Sequence, residues 1–220
     1  MEITTTLIII IITAIVSFTA FSNEKIMNDL IFYPPAVQRG QWYRFFSCGL
    51  LHADIGHLAF NMITLYFFGG GVEQNFTILF GKYGKLIYLA MYILALAVCL
   101  LPTYGKNKDN YHYRSLGASG AVSAVVFSSI LFDPLKGIGL FFIPVFIAGF
   151  LFGLIYLVVS SMLDRKGGDN INHSAHIYGA LFGIAFTSIL CYTLGNYPVL
   201  EVFVNQISNM SLSDIFQLPG

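Results

Sequence analysis

Two side chains in otherwise apolar segments, Ser119 and His176, could together carry out acyl transfer. A serine hydroxyl is a weak nucleophile unless a base removes its proton, and a histidine about 3 Å away can accept that proton. The carboxylates nearest to His176 in the sequence, Asp164 and Asp169, are expected in a loop, where neither would orient the imidazole. The residue types therefore favour a Ser–His dyad over a Ser–His–Asp triad.

Two further polar residues, His57 and Asn61, could stabilise the oxyanion that forms when a hydroxyl attacks a carbonyl group. They are four residues apart, so on a helix their side chains project from the same face. The backbone N–H groups at the start of the Ser119 helix are additional donors, assisted by the positive end of the helix dipole. Each residue also has a structural interpretation, because Ser and Asn commonly hydrogen-bond within or between membrane helices.

Small residues recur every four positions beside both members of the dyad. They are Gly120, Ala124 and Ser128 after Ser119, and Ala175, Gly179 and Gly183 around His176. Small side chains at this period let two membrane helices approach closely. We expect the two ridges to bring Ser119 and His176 together at a similar depth, although either ridge alone could be ordinary packing.

The composition is that of a membrane protein. Of the 220 residues, 56% are hydrophobic and only 10% are charged, which leaves too few polar side chains to cover a soluble domain of this length. The formal net charge is zero, so no basic face indicates a nucleic-acid partner. Several stretches without Asp, Glu, Lys or Arg approach the ~20 residues that a helix needs to cross a bilayer. They are 3–23, 55–72, 86–105, 115–132, 137–163 and 170–200.

These stretches predict an all-α, polytopic membrane protein, with a six-transmembrane-helix bundle over residues 1–196 and a C-terminal tail over 197–220. The long, aromatic segment 24–51 predicts a first loop that is embedded in the membrane interface. The fourth stretch opens with Gly117-Ala118-Ser119-Gly120, and its strongly apolar part, 121–132, is short. We expect this helix to begin below the membrane surface, at a submerged polar site.

Several motifs, taken in order, resemble those of the rhomboid family of intramembrane serine proteases. They are Trp42-Tyr43-Arg44, His52-x4-His57-x3-Asn61, Gly69-Gly70-Gly71-Val72-Glu73, Gly117-x-Ser119-Gly120 and Ala175-His176-x2-Gly179-x3-Gly183. Any one of these motifs is weak by itself, whereas their order and their positions on the expected spans make the resemblance strong. The similarity runs from about Gly40 to Gly183.

The resemblance implies a serine endopeptidase with Ser119 as nucleophile, His176 as base, and His57 and Asn61 as oxyanion donors. It implies structural support from His52, Trp42, Arg44, Glu73, Gly117, Gly120, Gly179 and Gly183. The substrates would be transmembrane segments of single-pass membrane proteins, cleaved in the lipid bilayer through an acyl-enzyme without a cofactor or metal. The small single-domain layout suggests a multi-pass protein of a prokaryotic plasma membrane.

Two features depart from the family's pattern. Some relatives carry an aromatic residue four positions after the nucleophile, where it packs on the catalytic histidine. This chain has Ser123 there, so another residue would have to hold the His176 ring. The family's usual orientation, with a cytoplasmic N-terminus, also puts three of the Lys and Arg residues inside and eight outside, against the positive-inside rule. We adopt the family's orientation, because several outer charges fall in a first loop that we expect to be structured.

Two other functions remain open on sequence alone. A catalytically inactive rhomboid-like protein would bind transmembrane helices without cutting them, but such proteins usually lack one of the catalytic residues, and this chain has both. A transporter or channel would use intramembrane His and Asn along a pathway. It would also have inverted repeats or broken helices in matching halves, which the sequence does not show. The protease hypothesis is therefore preferred.

Overall fold

The computed structural model describes residues 3–139, 146–168 and 171–217 of the chain, and most of them are helical. The helices are α1 (Thr5–Phe21), α2 (Glu24–Leu30), α3 (Pro34–Gln38), α4 (Arg44–Ser47), α5 (Ile55–Phe80), α6 (Gly84–Val98), α7 (Leu101–Asn107), α8 (Ser119–Phe132), α9 (Gly149–Lys166), α10 (His173–Thr193) and α11 (Val199–Ser208). Three short strands, β1 (Gly137–Gly139), β2 (Phe146–Ala148) and β3 (Phe216–Gln217), form one antiparallel sheet in that order. The predicted, essentially all-α bundle is confirmed.

Two helical stretches in the described part of the chain are long and apolar enough to cross a membrane by length and composition. One is 55–107, which contains α5, α6 and α7 and has a mean hydropathy of 2.3, and the other is α10, with 1.5. The apolar helices α1 and α8 are shorter, with 17 and 14 residues. A short α8 agrees with the expectation of a helix that begins below the membrane surface.

Helix α8 is the centre of the bundle. Eleven of its 14 residues are buried, and it packs against α5, α6, α9, α10 and α11. Its closest neighbour is α10, because the two helices meet at small residues. A Cβ on Gly179 would collide with the Gly120 carbonyl oxygen, and a Cβ on Gly183 would collide with that of Ala124. This approach places the first turns of α8 and α10 side by side.

One predicted span, 137–163, is wrong in its first part, where residues 137–139 and 146–148 form strands. The chain leaves α8 through a turn, forms β1 and β2 as a hairpin, and begins α9 only at Gly149; residues 140–145 lie outside the described part of the chain. An apolar run alone does not distinguish a strand from a helix. Here a distant partner, β3, pairs with β2 through Phe146↔Gln217 and Ile147↔Phe216 and completes the sheet.

The structure also corrects two smaller predictions, for the span 86–105 and for Asp164. The predicted span 86–105 is divided into α6 and α7 by a turn at residues 99–100. Pro102 lies at the start of α7, where its missing N–H costs no hydrogen bond. Asp164, expected in a loop, lies in the last turn of α9, because the helix continues past its apolar part to Lys166. Asp169 lies outside the described residues.

The tail after residue 196 folds against the bundle. Val199 of α11 is buried in a cluster with Leu131 of α8 and Cys191 of α10. Beyond α11, a capping box at Ser211 and Asp214 leads into β3. The boundary at 196/197 stays a prediction.

The first loop forms a compact layer of short helices, α2 to α4, followed by a 3-10 turn. Arg44 is buried and donates hydrogen bonds to the backbone carbonyls of Asn28 (2.8 Å) and Ile31 (2.7 Å), and to the Gln41 side chain (2.6 Å). Arg44 therefore holds α4 against the end of α2. The Trp42 ring is 59% exposed and packs on Phe45 and on Tyr104 of α7.

Helix α1 is joined to the bundle by buried polar contacts at both ends. The Glu73 carboxylate of α5 accepts from the Thr5 and Thr6 backbone N–H groups at 2.8 and 2.9 Å, and from the Thr6 hydroxyl at 2.9 Å. These are free N–H groups of a helix N-terminus, where negative charge is favoured. At the other end, Ser17 lies 2.9 Å from Nδ1 of His52, and the His52 ring packs edge-on against the His57 ring.

Candidate active site

Ser119 and His176 meet at the interface of α8 and α10. Ser119 is the first residue of α8, and His176 lies in the first turn of α10. The Ser119 Oγ and the His176 Nε2 are 2.7 Å apart. A hydrogen bond of this length lets the imidazole accept the hydroxyl proton when the oxygen attacks a carbonyl group.

The start of α10 is fixed by Asn172. Its side-chain oxygen accepts from the Ala175 backbone N–H (3.1 Å) and from the Thr103 hydroxyl of α7 (3.1 Å). The cap therefore fixes the entry of α10 against α7, one turn before His176. Sequence reasoning missed this residue, although an Asn immediately before a helical stretch is a recognised N-cap signal.

Gly117 shapes the approach to the nucleophile. Its φ of +118° lies in the region that favours glycine. A Cβ there would also lie 2.9 Å from Cε1 and 3.1 Å from Nε2 of His57, and 4.0 Å from the Ser119 Oγ. Gly117 therefore lets the His57 ring approach the same small space as the Ser119 hydroxyl.

The His57 ring is oriented by the end of the first loop. Asp54 caps α5 by accepting from the His57 backbone N–H at 2.8 Å. The Ala53 backbone N–H donates to Nδ1 of His57 at 3.4 Å. A ring nitrogen that accepts carries no proton, so in the neutral ring Nε2 carries the hydrogen. The N–H that faces Gly117 is therefore a donor.

Asn61 lies one turn further along α5 and is almost fully buried. Its Nδ2 donates to the His57 backbone carbonyl at 3.0 Å, within its own helix. Among the described residues, no hydrogen bond joins Asn61 to Ser119 or His176. The second Nδ2 hydrogen can donate to a substrate oxyanion.

The aromatic support of His176 comes from α9. The Tyr156 ring lies nearly parallel to the His176 ring, with centroids 6.3 Å apart and an interplanar angle of 20°. Its hydroxyl lies 2.7 Å from the Ser123 Oγ. Tyr156 is thus the aromatic residue of α9 that packs beside the His176 ring, and the sequence did not single it out. The sequence signal is an aromatic pair at i and i+4, Phe152 and Tyr156, on one face of α9.

A cavity of about 300 Å³ lies beside the dyad, between α9 and α10. Its walls are mainly apolar and include Phe152, Tyr156, Val159, His173 and His176. Within the described ranges, no group of three or more His, Cys, Asp or Glu side chains could hold a metal ion.

The family model named Rhomboid domain matches residues 39–193 of the chain. This range contains Ser119, His176, His57 and Asn61. The chain belongs to the rhomboid family. Membership makes it an integral membrane protein.

This rhomboid resembles both organellar and bacterial proteins. It is 30% identical over 174 residues to the RHOMBOID-like protein 12, mitochondrial, of Arabidopsis thaliana. The aligned region covers 75% of this chain and 51% of the plant protein. It is 30% identical over 171 residues to the Rhomboid protease GlpG of Enterobacter sp. (strain 638), covering 74% and 54%. The Presenilin-associated rhomboid-like protein, mitochondrial, of Homo sapiens is 29% identical over 141 residues, covering 62% and 35%.

The chain spans about half the length, or less, of these relatives. Because two of the three are mitochondrial, the prokaryotic plasma membrane stays a prediction for this rhomboid.

Proposed function

We propose that this rhomboid is an intramembrane serine endopeptidase that hydrolyses peptide bonds in or near transmembrane segments of single-pass membrane proteins. The observation that carries the proposal is the 2.7 Å contact between the Ser119 Oγ and the His176 Nε2 at the meeting of two helix starts. Relatives named rhomboid proteases support the same class of activity.

In the acylation half, the Ser119 Oγ attacks the carbonyl carbon of the scissile bond and its proton passes to Nε2 of His176. The oxyanion accepts hydrogen bonds from the Ser119 backbone N–H, which has no intrahelical partner, and from Nε2–H of His57. The C–N bond then breaks, and His176 gives the proton to the leaving amine. An ester on Ser119 remains.

In the deacylation half, His176 takes a proton from a water molecule as the water attacks the ester. The acyl C–Oγ bond then breaks, His176 returns the proton to the Ser119 oxygen, and the carboxylic acid product leaves. Asn61 takes part if its free Nδ2 hydrogen turns toward the oxyanion. The substrate segment must unwind locally, because a helical peptide carbonyl is already engaged in its own hydrogen bond. This favours segments with small or helix-weakening residues near the cut.

The test uses proteoliposomes and a single-span reporter with small residues near its outer end. Wild type is compared with Ser119→Ala and His176→Ala. Two matched controls are Ser129→Ala on the same helix α8, and the exposed His112→Ala. We expect cleavage by wild type and by both controls, and none by the two dyad variants.

A fluorophosphonate that labels Ser119 separates an unsuitable reporter from an incompetent site. Labelling without cleavage means that the site is active and the reporter lacks the required sequence. If wild type neither cuts nor labels, the protease proposal is wrong, and a rhomboid-like protein that binds transmembrane helices without cutting them becomes the better interpretation.

A further inference from the structure

The His176 ring is held by few hydrogen bonds for a residue that is proposed to act as the catalytic base. Among the residues that the structure describes, its side chain makes one hydrogen bond, to the Ser119 hydroxyl. In a triad a carboxylate on the other ring nitrogen would set the orientation of the imidazole, and no described carboxylate forms that bond here. Ring contacts must therefore limit the rotation of the imidazole.

Two aromatic neighbours contact the ring from different directions. Tyr156 of α9 lies almost parallel to it, with centroids 6.3 Å apart and an interplanar angle of 20°. His173 lies nearly perpendicular to it at 5.9 Å. Both separations fall in the range of favourable aromatic pairs. Tyr156 therefore packs alongside the imidazole, so a rotation that turned Nε2 away from Ser119 would have to move against this ring.

Tyr156 is itself held in place by two helices. Its hydroxyl bonds to Ser123 of α8 at 2.7 Å, one turn after the nucleophile. The Phe152 ring stacks on it from the preceding turn of α9 at 6.1 Å and 26°, and Phe127 of α8 contacts it at 5.7 Å. The ring that packs beside His176 is thus fixed to the same helix that carries Ser119.

We infer that Tyr156 is a positioning residue that keeps the His176 imidazole aimed at Ser119, with its own ring held mainly by Phe127 and Phe152. The inference rests on the proposed function for its effect on catalysis, but the effect on the ring itself is independent of activity. On α9, Phe152, Tyr156 and Leu157 are partly buried and pack against the hydrophobic core. Tyr156 and His176 also share the wall of the cavity between α9 and α10.

The test compares Tyr156→Leu with Tyr156→Phe, and uses Tyr192→Leu as a control, since Tyr192 is 76% exposed. We expect Tyr156→Leu to lower kcat about 10-fold, equivalent to about 1.4 kcal/mol, while KM changes less than about 2-fold. Tyr156→Phe keeps the stacked ring and stays within about 3-fold of wild type. Equal losses in both variants, or wild-type kcat in Tyr156→Leu, would overturn the inference.

A double variant transfers the ring to α8. Because the Tyr156 hydroxyl reaches the Ser123 Oγ, a tyrosine at 123 would extend into the space that the Tyr156 ring leaves. Ser123→Tyr combined with Tyr156→Ser is expected to recover at least half of the kcat lost in Tyr156→Ser alone. No recovery, in a variant whose thermal unfolding matches wild type, would contradict a role for the ring.

The activity-independent readout is the NMR signal of the His176 ring in protein labelled with ¹⁵N-histidine. The chain has five histidines, so the loss of one signal set in His176→Ala assigns the ring. Tyr156→Leu should shift or broaden that signal, whereas Tyr156→Phe and Tyr192→Leu should leave it unchanged. An unchanged signal in Tyr156→Leu would refute the inference even if wild type cleaves no substrate. If Tyr156→Leu changes the signal but wild type neither cleaves nor labels, only the proposed function is refuted.

Discussion

A single methyl group between α8 and α10 should damage both the stability of the bundle and the dyad. A Cβ added to Gly179 would lie 2.7 Å from the carbonyl carbon and 3.1 Å from the Cα of Gly120. Ordinary carbon–carbon contacts need about 3.5–4.0 Å. The obstructing atoms belong to the backbone, so no side chain can rotate away. Helix α10 must therefore move from α8 by roughly 1 Å to accept Gly179→Ala.

That movement should lower both the folding free energy and the rate of labelling at Ser119. Overpacking of this kind costs about 1–3 kcal/mol of folding free energy. It would also lengthen the 2.7 Å contact between Ser119 and His176 toward the limit of about 3.5 Å, beyond which a hydrogen bond is no longer formed. A misplacement of about 1 Å can lower the rate of an enzyme by about 100-fold. We expect Gly179→Ala to lose between about 10-fold and 100-fold in the rate of fluorophosphonate labelling.

The assay pairs thermal unfolding in detergent micelles with the labelling rate, and Gly70→Ala is the matched control. Gly70 lies inside α5, and a Cβ there meets nothing within 4 Å. Alanine is favoured over glycine in a helix by about 1 kcal/mol, so the control should unfold at the wild-type temperature or slightly above it. Gly179→Ala with wild-type stability and wild-type labelling would refute this account of the helix contact.

Two further changes test the attachment of α1 and the proposed oxyanion site. Glu73→Gln replaces one accepting oxygen by an NH₂ group that faces the N–H donors of Thr5 and Thr6, so we expect a loss of about 1–3 kcal/mol in unfolding free energy; an unchanged unfolding midpoint would count against Glu73 as the cap of α1. His57→Ala removes a proposed oxyanion donor and should lower kcat about 100-fold with little change in KM. Its Ser119 should remain at the same distance from His176, and wild-type kcat in this variant would exclude His57 from the oxyanion site.

The helical bundle could be predicted because its determinants are local. Charges confined to the gaps marked the spans, and small residues at a period of four marked the contact of α8 with α10. The hairpin of β1 and β2 could not be predicted in the same way. Its residues are as apolar as a span, and β2 pairs with Phe216 and Gln217, some 70 residues further along the chain, which no local pattern reveals.

The candidate site shows the same difference between residues marked by local sequence and residues placed by tertiary packing. Ser119, His176 and His57 could be singled out because polar side chains are rare in apolar spans, and the geometry brings them around Gly117. Tyr156 could not be singled out, because an aromatic pair at i and i+4, such as Phe152 and Tyr156, is ordinary on a membrane helix. Its position depends on how α9 is rotated and on the hydroxyl of Ser123, both of which are set by tertiary packing.

The most direct test of the central claim is to map a fluorophosphonate adduct by mass spectrometry, since labelling needs no knowledge of the substrate. The dyad predicts one adduct, on Ser119, in the wild-type protein. It also predicts that His176→Ala reduces this adduct to background while the fold is retained. No adduct on Ser119, or equal labelling of Ser119 in wild type and His176→Ala, would contradict the proposal that this rhomboid is a Ser–His protease.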